Sequence, residues 1–177
     1  MIVEETVNRL LRDTVDLILA TPGYSIRAKQ DAPRPPGAYA DVDFLSDTSV
    51  GWEQHELEDN TGDLDITDTI TGPREMMMSI GFYKDGAIDN CRKVRTAVTR
   101  ESIQELFSQG GIALGRRSDV REISEPLESG WEERAQFDIV LNTTGSDSDI
   151  IRSIRSVDIG MVFESNGLSY NLNIEVQ

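Results

Sequence analysis

The segment RAKQDAPRPPGAY, residues 27–39, constrains the fold more than any other stretch of this chain. Pro33, Pro35 and Pro36 hold φ near −65° and donate no backbone hydrogen bond, so the run can be neither helix interior nor central strand. It has to be a stiff, extended crossing. Before it, Tyr24, Ile26 and Ala28 alternate with Ser25, Arg27 and Lys29, which predicts a strand over 24–29. After it, Ala40, Val42 and Phe44 alternate with Asp41 and Asp43 in a second strand.

Residues 4–20 carry Val7, Leu10, Leu11, Val15, Ile18 and Leu19 on one helical stripe, with Glu4 and Glu5 at the favoured N-terminal end and Pro22-Gly23 as the stop. Residues 45–63 are polar and acidic and hold an exposed Trp52. Strand spacing returns at Leu64, Ile66 and Ile70 and again at Met76, Met78, Ile80 and Phe82, with Thr71-Gly72-Pro73 expected as a turn between them. These make one long acidic hairpin or two loosely paired ones, an arm reaching a neighbour or a mobile loop. Ala87, Cys91, Val94 and Val98 then form the apolar seam of a helix, and Ile103, Leu106 and Phe107 that of a second over 100–109, closed by Gly110-Gly111. Residues 112–123 are expected to be strand or strand-like turn. Ala135, Phe137, Ile139 and Leu141 alternate with charges, Ser146–Asp149 reads as a polar turn, and Asn166-Gly167 reverses one strand (157–163) into the last (168–176).

Strands therefore flank a helical middle. The expected fold is α+β: a mainly antiparallel twisted sheet, an N-terminal helix and a central helix pair on one face, and a long acidic hairpin arm over 41–75. At 177 residues the chain is read as a single domain, large enough to bury roughly 70% of its unfolded surface. The longest early apolar stretch, 15–20, is far short of a membrane span, and its flank of Glu4 and Glu5 is unlike a signal peptide.

The net charge is −15, unevenly spread. Residues 41–75 hold eleven carboxylates against Arg74 alone, whereas 84–117 hold seven cations against four carboxylates. Such a chain suits head-to-tail pairing with its own copies, or simply carries two solvated faces. A clustered basic groove for nucleic acid is not present in the pattern.

Catalytic and metal chemistry find little footing. One His and one Cys remove the usual zinc sets and Cys–His dyads. His55 sits among Glu53 and Glu56 and reads as solvated; Cys91 lies on an apolar seam, where Cys acts as a small hydrophobe. Asp63-Leu64-Asp65-Ile66-Thr67-Asp68 lacks the sixth-position Gly and twelfth-position Glu of a calcium loop, and is more simply the wet face of a strand. No cofactor is expected. Trp131-Glu132-Glu133-Arg134 reads as an interface rim, rich in Trp and Arg, or as a charge-guarded edge strand.

Three motifs recur in a family order: Pro33-Arg34-Pro35 followed by Tyr39, Phe82-Tyr83-Lys84-Asp85-Gly86-Ala87, and Trp131-Glu132-Glu133-Arg134-Ala135. Together they resemble the neck or tail terminator proteins of tailed bacteriophages. The resemblance implies a non-enzymatic virion protein, assembled in the bacterial host cytoplasm. It would form a ring, typically a hexamer, that caps the tail tube and meets the head-completion connector, with the sheath as a further neighbour in contractile tails. DNA passes through such a ring unbound, kept mobile by carboxylates. Candidate contact residues are Arg34, Tyr39, Trp52, Arg92, Lys93, Arg95, Trp131 and Arg134. The competing readings are another head–tail connector or tube protein, and a small metal- or ligand-binding domain using the acidic segment.

Overall fold

A computed structural model describes residues 4–59, 65–127, 130–152, 158–165 and 168–175. They form two compact units, one of 1–53 with 72–145, the other of 54–71 with 146–177. The fold is α+β, with mostly antiparallel strands and three helices among the described residues.

In the first unit, helix α1 (Glu4–Leu19) buries Val7, Leu11, Val15 and Ile18, the stripe expected from its spacing. Its exit is fastened by Asp16, whose carboxylate accepts from the backbone N–H of Gly23 at 2.6 Å and of Ser25 at 2.8 Å and from the Ser25 hydroxyl at 2.7 Å. That fixes the entry of strand β1 (Ser25–Arg27). β1 pairs in parallel with β2 (Tyr39–Ser49), Ser25 opposite Ala40. Parallel neighbours need a crossover, and the proline run supplies it in place of a helix.

β2 runs antiparallel to β4 (Asp65–Tyr83), from Tyr39 opposite Tyr83 to Ser49 opposite Arg74. The expected turn at Thr71-Gly72-Pro73 is not there: β4 passes straight through it. The interruption lies in the partner, where residues 50–53 leave the ladder between β2 and β3 (Gln54–Asp59) around Gly51, at φ 90°. Pro73 has no N–H to give, and its carbonyl accepts from Val50 at 2.9 Å, so the proline falls where the ladder is already broken. Gly72 leaves room for Glu53, whose Cγ would stand 2.9 Å from any Cβ there.

Helices α2 (Ala87–Ala97) and α3 (Glu101–Gln109) follow, burying Ala87, Cys91, Val94, Val98, Ile103 and Phe107. The chain returns through β5 (Ala113–Arg117), β6 (Arg121–Glu122), the small hairpin β7 (Glu125–Leu127) and β8 (Gly130–Glu132), and β9 (Arg134–Arg152). The sheet order in this unit is β1-β2-β4-β9-β5, with β6 also on β9. One core cluster joins all three helices to Ala40, Val42, Met78, Ile80, Phe82, Phe137 and Ile139, so the helices cover one face of the sheet. No helix among the described residues is long and apolar enough to cross a membrane.

In the second unit, β3 pairs antiparallel with the first part of β4, Gln54 opposite Thr71 and Asp59 opposite Ile66. Ser146–Asp149 is not a turn: β9 continues as strand to Arg152. There Asp147 and Asp149 turn their carboxylates onto the N–H of the next residue, Ser148 and Ile150, so the turn-forming chemistry is spent without a reversal. β10 (Asp158–Ser165) and β11 (Leu168–Glu175) pair antiparallel, Ser165 opposite Leu168. The reversal expected at Asn166-Gly167 lies outside the described residues, as do Asp63 and Leu64 of the acidic run.

Candidate functional site

Residues 34–39, 83–86 and 131–134 meet in one junction at the start of β2, the end of β4 and the start of β9, with Tyr39 and Tyr83 on the face of the sheet away from the helices. The Tyr39 and Tyr83 rings, opposite one another on β2 and β4, stack at 4.7 Å and 12°. Lys84, held at φ 70°, sends its ammonium to the carbonyls of Pro35 at 2.5 Å and Pro36 at 2.9 Å, 5.8 Å above the Tyr39 ring. One lysine thus pins the proline crossing to the end of β4. The Arg134 guanidinium stands 5.6 Å from the Tyr83 ring centre, and its Nε donates to Glu132 at 2.6 Å. Its Nη2 lies 2.5 Å from Glu132 and from Glu125, at ion-pair range but off hydrogen-bond geometry. Arg134 and Glu132 are 12% and 10% exposed, so the pair ties β9 to the β7–β8 hairpin more than it meets solvent.

Helix α2 begins at Gly86, in the left-handed region at φ 79°, and no side chain of its own caps it. The cap comes from 47 residues away. Glu133 accepts from the N–H of Gly86 at 3.0 Å and of Ile88 at 2.9 Å, while its backbone carbonyl accepts from Lys84 N–H at 2.8 Å. A carboxylate there meets two unpaired donors and the positive end of the helix dipole.

Asp41 lies on the same face. Its carboxylate rests over Gly81, where a Cβ would stand 2.5 Å from Oδ1, and Oδ2 accepts the Tyr83 hydroxyl at 3.1 Å. Burial raises its pKa above the usual carboxylate value; the Tyr83 hydrogen bond opposes this and neighbouring Asp43 adds to it. Burial, then the charge of Asp41, raises the Tyr83 phenol.

The structure brings Arg34, Tyr39 and Arg134 into this junction, with Arg34 3.7 Å from Glu132. Trp131 stands beside them on β8, 77% exposed. Trp52 is 96% exposed in the 50–53 bend. Arg92 and Lys93 are exposed on α2, and Arg95 is half-buried, giving its Nε to the Ser118 carbonyl at 2.6 Å and Nη2 to Asp119 at 2.9 Å. Tyr83, Lys84 and Glu133 lie within the three motifs but were not expected from sequence as contact residues. The one signal for Glu133 was a helix starting at Asp85-Gly86-Ala87 without a capping side chain, which calls for an acceptor from elsewhere.

Cys91 is fully buried in the core, and burial pushes its thiol up to about 12 against the pull of Arg95 and Arg92. His55 is met by Asp68, at 3.0 Å across the β3–β4 pair, and not by Glu53 or Glu56. No group of three or more metal-ligating side chains occurs among the described residues.

Fold and junction together define a scaffold, in which three distant segments spend their charges on holding strands, crossing and helix in register. The chain belongs to the phage neck terminator protein family, whose model matches residues 2–166. It is a structural protein of the phage neck and tail. No curated protein matches it.

Proposed function

We propose that the protein forms a closed ring, a hexamer, that caps the head-proximal end of the tail tube and joins it to the head-completion connector. The observation that carries this reading is family membership over residues 2–166. The ring works without catalysis, and neither His55 nor Cys91 has a chemical role. Residues 1–177 act as one terminator module, with 41–75 as an acidic arm that meets a neighbouring copy, tube, connector or, in contractile tails, sheath. Exposed Trp52 and Trp131 suit such contacts, since large aromatics anchor interfaces. Carboxylates of the arm, such as Asp41, Asp43, Asp63 or Asp65, line the lumen and repel phosphate, so DNA passes through without being gripped. The protein is assembled in the host cytoplasm and resides in the virion.

Deleting the gene tests this. The expected result is unjoined heads and tails of abnormal length in electron micrographs; normal joined virions overturn the proposal. Open stacks formed by the purified chain would favour a tube protein. Micromolar binding of a divalent metal to a folded monomer would favour a small binding domain.

A further inference from the structure

The first unit carries two uncharged features beside Pro73, on opposite flanks of β4. On the β2 flank, Thr48, Ser49, Val50, Gly51 and Trp52 are consecutive, exposed and without charge, in a chain of which 28% is charged. Val50 donates its N–H to the Pro73 carbonyl at 2.9 Å, and Gly51 turns the bend at φ 90°. The bend presents Trp52 almost wholly to solvent, at 96% exposure.

On the β9 flank, β5 joins β9 only from Ala113, opposite Asn142. Past that point Thr143 and Thr144 have no strand partner on the β5 side among the described residues. A groove of about 460 Å³ opens there, its walls including Pro73, Ile112, Ala113, Asn142, Thr143 and Thr144. Among the described residues, no ionisable side chain lines it. The clefts under the proline crossing and beside β8 differ, holding Arg27, Lys29 and Asp41 in one and Lys84, Asp85 and Glu132 in the other. Thr143 is 8% exposed, and its hydroxyl has no hydrogen-bond partner among the described residues. A buried hydroxyl left in that way is costly until a partner arrives.

We infer that this groove seats Trp52 of a second copy of this chain. The volume suits an indole, since sites for small organic groups run ~300–1,000 Å³. An uncharged bend enters an uncharged groove without stripping water from an ion. The indole N–H, which needs an acceptor once buried, donates to the Thr143 hydroxyl. A copy does not fill its own groove, because its Trp52 stands in solvent. Bend and groove both adjoin Pro73, so they lie at one level along β4. A head-to-tail contact between patches at one level can repeat around a closed ring without climbing.

The inference rests on the ring reading, and the experiment separates the two. Tails assembled with the parent chain are first treated with an amine-reactive cross-linker; absence of copy-to-copy products overturns the ring and the Trp52 contact together. Dissociation of the cross-link-competent assembly on dilution is then followed by native mass spectrometry. Trp52→Ala should raise the half-dissociation concentration roughly thirtyfold, the scale of an interface hot spot, and leave the monomer melting temperature unchanged. Thr143→Val keeps the side-chain shape and removes only the hydroxyl. It should weaken assembly roughly fivefold, the scale of one hydrogen bond, while the monomer melts no lower than the parent. Adding it to Trp52→Ala should weaken assembly little further. Parent-like association of Trp52→Ala, or full additivity of the two changes, overturns the contact and leaves the ring. Parent-like association of Thr143→Val with a lower monomer melting temperature also overturns it, because the hydroxyl would then serve the fold alone.

Discussion

Truncating Glu133 isolates the long-range cap of α2. Glu133→Ala removes the acceptor for two N–H groups, Gly86 at 3.0 Å and Ile88 at 2.9 Å, while leaving the backbone bond from Lys84 in place. Loss of a side-chain cap costs about 0.5–2 kcal/mol, and loss of a carboxylate at a helix N-terminus about 0.3–1 kcal/mol more. Gly86 is exposed and water can replace its acceptor, so the lower part of that range applies there. Ile88 is half-buried and loses more. The expected net loss is about 1.5 kcal/mol, or roughly 3–6 °C in melting temperature for a chain of this size. Glu133→Gln keeps one acceptor oxygen and loses the charge, so it should lose about half as much. The assay is urea unfolding at constant m-value, with hydrogen exchange at the Ile88 amide as a local readout. An alanine variant within about 0.5 kcal/mol of the parent, with unchanged Ile88 exchange, would refute the cap.

The raised pKa of Asp41 means its folded state favours the proton, so that stability is complete below the usual value of 3.8 and is lost as pH rises through the raised value. Asp41→Asn should thus melt higher than the parent at neutral pH, with the gap closing by about pH 3.5; a gap independent of pH would contradict this. Gly81→Ala should cost about 1–2 kcal/mol by displacing the Asp41 carboxylate, read by thermal melts and by a shift in tyrosine absorbance; parent-like values would show the face yields freely. Cys91→Ser should cost on the order of 1–3 kcal/mol in urea titrations and leave ring size unchanged, since the thiol only packs. Reversing Arg92, Lys93 and Arg95 to Glu should favour monomers and reduce the salt sensitivity of assembly, measured by light scattering; unchanged oligomer size would defeat head-to-tail charge pairing.

Periodicity made the helices and most strands legible. Val7, Leu11, Val15 and Ile18 repeat at helical spacing, and Phe137, Ile139 and Leu141 repeat at strand spacing, because each element has to turn one face to the core. The breaks were less legible. Thr71-Gly72-Pro73 has turn composition yet lies inside β4, because a proline costs a strand little where its partner has already left the ladder. Ser146–Asp149 has turn composition and stays extended for a similar reason, its side chains satisfying local N–H groups.

By itself the sequence determined the α+β class, the stiff crossing at Pro33–Pro36 and a charge split into acidic and basic regions; these follow from local stereochemistry and spacing. It also carried the family, through three motifs that no local rule connects. Only the tertiary structure decided what those motifs do. Arg34, Tyr39, Tyr83, Lys84, Glu132, Glu133 and Arg134 make contacts that span separations of 44 to 98 residues, and charge-assisted bonds of that kind exist only once the sheet has set β2, β4 and β9 side by side. The same pairing set Asp41 against the Tyr83 hydroxyl and over Gly81, contacts that depend on three-dimensional distance and that no count of charges along the chain contains.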